Sequence, residues 1–128
     1  MDGGGRTNRI KHFIIDVWRA HAANRLKPGQ VVAVDFDGTL CENAYPGIGK
    51  PYKRFIFALY LAWIRDTKLI LCTCREGERL NEAIDWCAGK YIWFDLFNAN
   101  LSDRIAQFGG DCRKISADVY FDDKGAWI

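Results

Sequence analysis

Four aspartates follow two apolar segments of the sequence in the same way. Asp35 and Asp37 come directly after the run Val31–Val34, and Asp122 and Asp123 come after a second such segment. A short, wholly apolar run next to turn residues is typical of a parallel strand that is buried on both faces. Because the carboxyl ends of parallel strands meet at one edge of a sheet, we expect the four carboxylates to lie close together.

A cluster of carboxylates at a strand end predicts a bound cation. The charges repel one another and favour protonation of some members unless a cation lies among them. Carboxylate oxygens are hard ligands that suit Mg²⁺, and Mg²⁺ held by few protein groups keeps positions for phosphate oxygens. Phosphoryl chemistry is therefore the leading use of this pattern. Gly38, directly after Asp37, permits the tight turn that keeps Asp35 and Asp37 at the mouth of the strand.

Three of these segments resemble sequence motifs of the haloacid dehalogenase superfamily. Asp35-Phe-Asp37-Gly-Thr-Leu40 resembles the first motif of that superfamily. Leu69-Ile-Leu-Cys-Thr73 is similar to the second motif, a hydrophobic strand ending in a Thr or Ser that hydrogen-bonds phosphate, and Phe121-Asp122-Asp123 resembles the acidic fourth motif. The three segments occur in the order found in the superfamily.

The third motif of the superfamily is a lysine that stabilises negative charge on the nucleophile and the phosphate. Lys114, eight residues before Asp122, is the best match. Arg113, Lys90 and Lys124 are alternatives.

The resemblance implies a two-step reaction on a phosphate ester. Asp35 attacks phosphorus and forms an aspartyl phosphate, and Asp37 acts as the general acid and then as the general base. Mg²⁺ is held by the Asp35 side chain, the Asp37 backbone carbonyl and either Asp122 or Asp123.

Substrate contacts are predicted next to these carboxylates. Arg75, just past Thr73, either clamps a phosphate or a base, or pairs with Glu76 or Glu78. The residues predicted to contact substrate are Gly38, Thr73, Cys74 and Arg75.

The order of the elements predicts an α/β domain. Strands alternate with helices, which favours a three-layer α/β/α, Rossmann-like core with a short, mostly parallel sheet of about four strands and no cap domain. Residues 1–8 are predicted to be disordered, and 9–128 to form one domain with an extra helix at about 9–26 and a catalytic core at about 30–125. We expect the extra helix to cover a sheet face that would otherwise be bare. Strands are predicted at 31–34, 68–73, 91–97 and 118–122, and further helices at 51–66, 78–88 and 101–108.

Composition narrows the class of protein. The formal net charge is +2 with no long block of like charges, so no nucleic-acid partner is indicated. The five cysteines are an odd number without a preceding signal peptide, which favours reduced thiols and a cytoplasmic location; Cys72 and Cys74 are predicted to be buried strand residues. The longest apolar stretch, Phe55–Ile64, is too short to cross a membrane, so no membrane contact is predicted.

The nature of the substrate stays open at this stage. Without a cap the site is open, which suits a large substrate or one enclosed by a partner subunit, with specificity in Glu42–Lys50 and Arg75–Arg79. The candidates are a small phosphorylated molecule or a phosphorylated polymer end. Ser116–Asp118 resembles a segment of 5'(3')-deoxyribonucleotidases, which implies a nucleoside monophosphate, and a catalytically silent phosphate-binding or regulatory module is the alternative outside the enzymes. A homodimer through Trp127 and the 55–64 helix is a further prediction.

Overall fold

The structure, a computed structural model, describes residues 3–98 and 115–127. Three helices and five strands lie in these ranges. The predicted helix at 101–108 and Lys114 fall outside the described residues. In chain order the elements are α1 Gly3–Ala23, β1 Val31–Asp35, α2 Lys53–Ile64, β2 Lys68–Cys72, α3 Gly77–Gly89, β3 Leu96–Phe97, β4 Val119–Asp122 and β5 Gly125–Trp127.

The strands form one sheet in the order β3-β2-β1-β4-β5. Among the described strands, the pairs β1–β2, β1–β4 and β2–β3 are parallel, and β5 runs antiparallel beside β4. The chain first moves outward from β1 to β2 and β3, and then crosses to the other side of β1. This reversal of strand order is that of a Rossmann-like sheet, in which ligands bind beyond the carboxyl ends of the strands. The predicted α/β class with a mostly parallel sheet is confirmed.

The hydrophobic core lies on one face of this sheet. Val32 and Val34 of β1 belong to a buried cluster that also contains side chains from β2, β4 and all three helices. Val31 and Ala33 point to the opposite face and are buried as well. The apolar run predicted a strand that is buried on both faces, and β1 is such a strand.

Helix α2 receives its N-terminal cap from another helix. Its own N-cap residue, Tyr52, makes no side-chain capping bond. Instead the Asp16 carboxylate, in α1 and only 1% exposed, accepts hydrogen bonds from the backbone N–H groups of Phe55 (2.8 Å) and Arg54 (3.1 Å). The first N–H groups of a helix have no partner within the helix, so this carboxylate satisfies them and also interacts favourably with the helix dipole. Pro51, predicted to open this helix, precedes it.

Helix α1 starts earlier than the sequence predicted. It begins at Gly3 and ends at Ala23, whereas residues 3–8 were assigned to a disordered segment and the helix to 9–26. Nothing in 3–8 blocks helical hydrogen bonding, since glycine lowers helix propensity but, unlike proline, keeps its N–H. The helix packs against α2 and contacts β5, so it covers the α2 side of the sheet near β4 and β5.

Two strand predictions needed correction. The segment 91–97 was predicted as a strand, but of its residues Leu96–Phe97 pair with β2, because the N–H groups of Tyr91 and Ile92 bond back to carbonyls of the last turn of α3. Strand β5 was not predicted. It forms because Asp122 closes a tight turn that returns the chain along β4.

The two connections that lie next to the carboxyl ends of β1 and β2 are loops. Residues 36–52 join β1 to α2, and residues 73–76 join β2 to α3, so neither of these connections holds a cap domain. None of the described helices combines the length and apolar character that a membrane span requires.

Candidate functional site

The ends of β1 and β4 bring the predicted aspartates to one edge of the sheet. Val34 pairs with Phe121, so Asp35 and Asp122 follow on neighbouring strands. Gly38 has a φ of 81°, and a Cβ atom there would lie 3.1 Å from the Cβ of Asp123. Glycine is therefore needed at position 38, both for its backbone conformation and for the close approach of the β4–β5 turn.

Asp35 lies in an environment that disfavours its charged form. Its Oδ1 accepts a hydrogen bond from the Phe36 N–H at 2.9 Å, which favours the carboxylate. Burial outweighs this bond and raises the pKa of Asp35 to about 6, with further increases from the negative charges of Asp123, Asp37 and Asp122. The site thus contains negative charge that the described protein groups do not fully compensate.

Asp122, the last residue of β4, and Asp123, the residue after it, have different surroundings. Asp122 Oδ1 accepts hydrogen bonds from the N–H groups of Lys124 (2.8 Å) and Gly125 (3.1 Å), which fix it in the turn between β4 and β5. Asp123 is exposed. Asp122 is therefore a rigid carboxylate, while Asp123 faces solvent beside Gly38.

Asp37 forms an ion pair with Arg75. The Arg75 Nε and Nη2 atoms donate to Asp37 Oδ2 and Oδ1 at 2.8 and 2.7 Å, the two-point geometry that suits guanidinium and carboxylate. The Arg75 side chain is 1% exposed, against 21% for Asp37. The bonds to Asp37 raise the pKa of Arg75. Of the two roles predicted for Arg75, the pairing with Glu76 or Glu78 is wrong, because its partner is Asp37.

Arg75 also holds the loop that follows β1. Its Nη2 and Nη1 donate to the carbonyls of Gly47 (2.7 Å) and Pro46 (3.3 Å). Its guanidinium lies over the rings of Phe36 (5.0 Å) and Tyr45 (5.1 Å). A single buried cation therefore joins the predicted acid/base residue to the predicted specificity loop.

The base of that loop is closed. The Glu42 N–H donates to the Lys50 carbonyl at 2.8 Å, and a side chain at Gly49 would overlap the Glu42 carbonyl oxygen. Helix α1 reaches this base, where the His12 Nε2 donates to the Pro51 carbonyl at 3.0 Å. The segment 42–50 is thus a compact flap with fixed ends.

Thr73 lies at the same edge, one residue past β2. Cys72 pairs with Asp35 in the register of β1 and β2, which places Thr73 beside the turn that carries Asp37. Its Oγ1 accepts a hydrogen bond from the Arg75 N–H at 3.1 Å. Cys74 is exposed in the loop, so the prediction of a buried strand cysteine is wrong at this position, because β2 ends at Cys72.

Arg19 is a site residue that the sequence reasoning missed. It is 7% exposed, and it donates to the backbone carbonyls of Thr39 (3.0 Å) and Asp122 (3.4 Å). Burial lowers the pKa of Arg19, while the charges of Tyr52, Asp123 and Asp122 oppose that change. From its position in α1, Arg19 connects the turn after β1 to the end of β4. The sequence signal for it was a single arginine next to the alanines on the side of α1 that packs on the core.

Asp118 does not contribute to this edge. Its Oδ2 accepts from the Val31 N–H at 2.8 Å, which places it at the start of β1, the opposite edge of the sheet. Asp118, which belongs to the segment that suggested a nucleotidase, therefore supports the start of β1. In residues 3–98 and 115–127, no group of three or more His, Cys, Asp or Glu side chains is arranged to hold a metal ion.

Comparison of the sequence with protein-family models gives no match, and comparison with curated proteins gives none either. A solved structure does match: a conserved protein coded by a locus of Bacteroides thetaiotaomicron, with a TM-score of 0.66 and 38% sequence identity, over 75% of this chain and 77% of that chain. The chain belongs to the family of this conserved protein. The relationship supports the α/β fold and carries no activity with it.

Proposed function

We propose that the protein is a magnesium-dependent phosphomonoester hydrolase of the haloacid dehalogenase type. The observation that carries the proposal is that Thr73, Asp35 and the Asp122–Asp123 pair lie at the carboxyl ends of three adjacent strands, β2, β1 and β4. These are the positions at which such a reaction needs a phosphate-binding hydroxyl, a nucleophile and a metal-binding acid.

In this proposal Asp35 is the nucleophile. It attacks phosphorus and displaces the alcohol, and the resulting aspartyl phosphate is then hydrolysed by water. Its hydrogen bond from the Phe36 N–H orients one oxygen and leaves the other for attack. Thr73 supplies a hydroxyl to the phosphoryl oxygens, and Lys114 is proposed as the cation that neutralises the nucleophile and the phosphate.

The donor set fits Mg²⁺. Mg²⁺ in enzymes typically uses one or two carboxylates, with waters and substrate phosphate completing its shell, so a cluster of three carboxylates is not required. The residues that would hold the ion are Asp35, the Asp37 carbonyl and either Asp122 or Asp123. The elevated pKa of Asp35 supports a cation there, because repulsion from the other acids contributes to it. When bound, the ion neutralises charge on the transferred phosphoryl group.

Asp37 is proposed as the general acid and base. Both of its carboxylate oxygens accept hydrogen bonds from Arg75, and a carboxylate is the form that takes a proton from water in the second step. For the first step Asp37 must carry a proton, so the pair with Arg75 has to loosen when substrate binds. The flap bonds of Arg75 provide a route, since a ligand that displaces residues 46–47 also disturbs the guanidinium.

A second candidate function is a catalytically silent phosphate-binding module. The same Arg75–Asp37 pair favours it, because a buried ion pair that never opens would leave the acid/base residue unavailable. For the hydrolase and for the silent module alike, the open site without a cap would accommodate either a small phosphate ester or a phosphorylated polymer end.

Phosphate release separates the two candidates. The native chain and the Asp35→Asn variant are compared with an aryl phosphate and a panel of nucleoside monophosphates, with Mg²⁺ and with a chelator. Glu82→Gln, on the exposed surface of α3, removes the same charge away from the site and serves as the control.

We expect Mg²⁺-dependent release by the native chain and by the control, and none by Asp35→Asn. Activity that survives in Asp35→Asn would refute the mechanism. Phosphate binding without release in the native chain would favour the silent module.

A further inference from the structure

Helix α1 exposes a continuous apolar stripe. Its side chains recur at spacings of three and four residues, so they lie along one side of the helix. Their exposed fractions range from 39% for Val17 to 74% for Trp18. The α1 stripe consists of Ile10, Phe13, Ile14, Val17 and Trp18. This is the amphipathic pattern visible in the sequence, but the structure turns it to solvent.

The other side of α1 holds the helix in place. Asp16 caps α2, and Arg19 is bonded to the turn after β1 and to the end of β4. The stripe is therefore presented by a fixed helix and needs no rearrangement to be available to a partner.

On α1 and the loop that follows it, the exposed charges are all positive. Between residues 3 and 30 the only acid is Asp16, which is buried, while Arg6, Arg9, Lys11 and Arg25 are exposed. Arg54 of α2 adds a further cation over the Phe13 ring, at 4.7 Å. The partner of this surface must therefore be both apolar and negatively charged.

We propose that the α1 stripe docks on an anionic lipid surface, with α1 lying in the plane of the interface. Basic helices that carry Trp and Phe on their apolar side bind in this way, with the rings at the level of the headgroups. A second copy of the chain fits less well, because pairing two such helices brings their cations together. No described helix is long and apolar enough to span a membrane, but that finding does not bear on a helix that lies in the surface plane, and the prediction of no membrane contact considered only spans. The proposal is independent of the proposed function.

Vesicle flotation tests this with the full chain. Vesicles of phosphatidylcholine alone and of phosphatidylcholine mixed with phosphatidylglycerol are compared at low and high salt. The variants are Trp18→Glu in the stripe and Arg9→Gln in its charged border. Phe57→Glu, on an exposed position of α2 outside the stripe, is the matched control.

We expect binding to the anionic vesicles that weakens with salt. Trp18→Glu should reduce the partition coefficient at least about tenfold, because a large side chain no longer enters the interface. Arg9→Gln should reduce it by roughly fivefold, the contribution of one cation near an anionic surface. Phe57→Glu should bind as the native chain does.

Three results would overturn the proposal. They are no binding to phosphatidylglycerol vesicles, binding that Trp18→Glu leaves unchanged, and a dimer in sedimentation that Trp18→Glu converts to monomer. The last result would assign the stripe to a second copy of the chain. Both variants change exposed side chains, so their urea unfolding should match that of the native chain.

Discussion

Removing the charge of Asp35 should stabilise the protein at neutral pH. The pKa of this carboxyl is raised from an ordinary value of 3.8 to about 6, chiefly by burial. A carboxyl whose pKa is raised in the folded state does not reduce the free energy of unfolding below its unfolded pKa, because it is protonated in both states there. The reduction grows as the pH rises and is complete above the folded pKa.

The size of the effect follows from that difference. Each pH unit corresponds to about 1.36 kcal/mol, so the full difference of about two units corresponds to about 3 kcal/mol. Asp35 keeps partial contact with solvent, which screens its interactions, and we expect about 1–2 kcal/mol to be observed. Asn keeps a side-chain oxygen that accepts the Phe36 N–H bond, so the substitution removes the charge and little else.

Urea unfolding of the native chain and Asp35→Asn, with a chelator present, measures this. The variant should be more stable by about 1–2 kcal/mol at pH 7.5 and equal to the native chain at about pH 3. Adding Mg²⁺ at pH 7.5 should stabilise the native chain and narrow the gap. Glu82→Gln, the surface control, should stay within about 0.5 kcal/mol of the native chain at both pH values.

A difference in the free energy of unfolding between Asp35→Asn and the native chain that does not change with pH would refute the electrostatic reasoning. So would an Asp35→Asn variant that is less stable than the native chain at pH 7.5.

The other predictions concern the residues that hold the site. Arg19→Met should lower the free energy of unfolding by about 2–4 kcal/mol in urea, because two backbone carbonyls lose a buried cationic donor; a loss below about 1 kcal/mol would contradict it. Asp16→Ala should cost about 1–2 kcal/mol in the same assay through the lost cap of α2, and no loss would show that the cap is dispensable. Arg75→Ala should speed hydrogen exchange in residues 43–49, whereas an unchanged rate would separate the flap from this side chain. In native thiol labelling followed by peptide mapping, exposed Cys74 should react well before Cys41, whose pKa burial raises to about 11, and equal rates would refute this.

The strand ends at which the site residues lie could be predicted, because they depend on local sequence patterns. The apolar run before Asp35 specified a buried strand, and Gly38 marked the turn after it. The strand-end rule then placed Asp122 beside Asp35, as the β1–β4 pairing confirms. These inferences need only the pattern of each segment and the general topology of parallel sheets.

The contacts that hold the site residues in place join segments that are far apart in the chain, so the pattern of a single segment does not predict them. Arg19 meets the backbone of Asp122 across more than a hundred positions, and Arg75 meets Asp37 rather than its neighbour Glu76. The α1 stripe illustrates the same limit. Its periodicity showed that one side of the helix is apolar, but not that the opposite side, with Asp16, is the buried one.

The position of β1 between β2 and β4 has a consequence for how the chain folds. The pair with β2 closes a loop of moderate length, whereas the pair with β4 joins Val32 to Val119, far along the chain. Closing the longer loop costs more chain entropy, so β4 is expected to join last. Until it does, one edge of an apolar strand stays unpaired and open to strands of other molecules. Slow folding of this protein at high concentration should therefore lead to aggregation through β1.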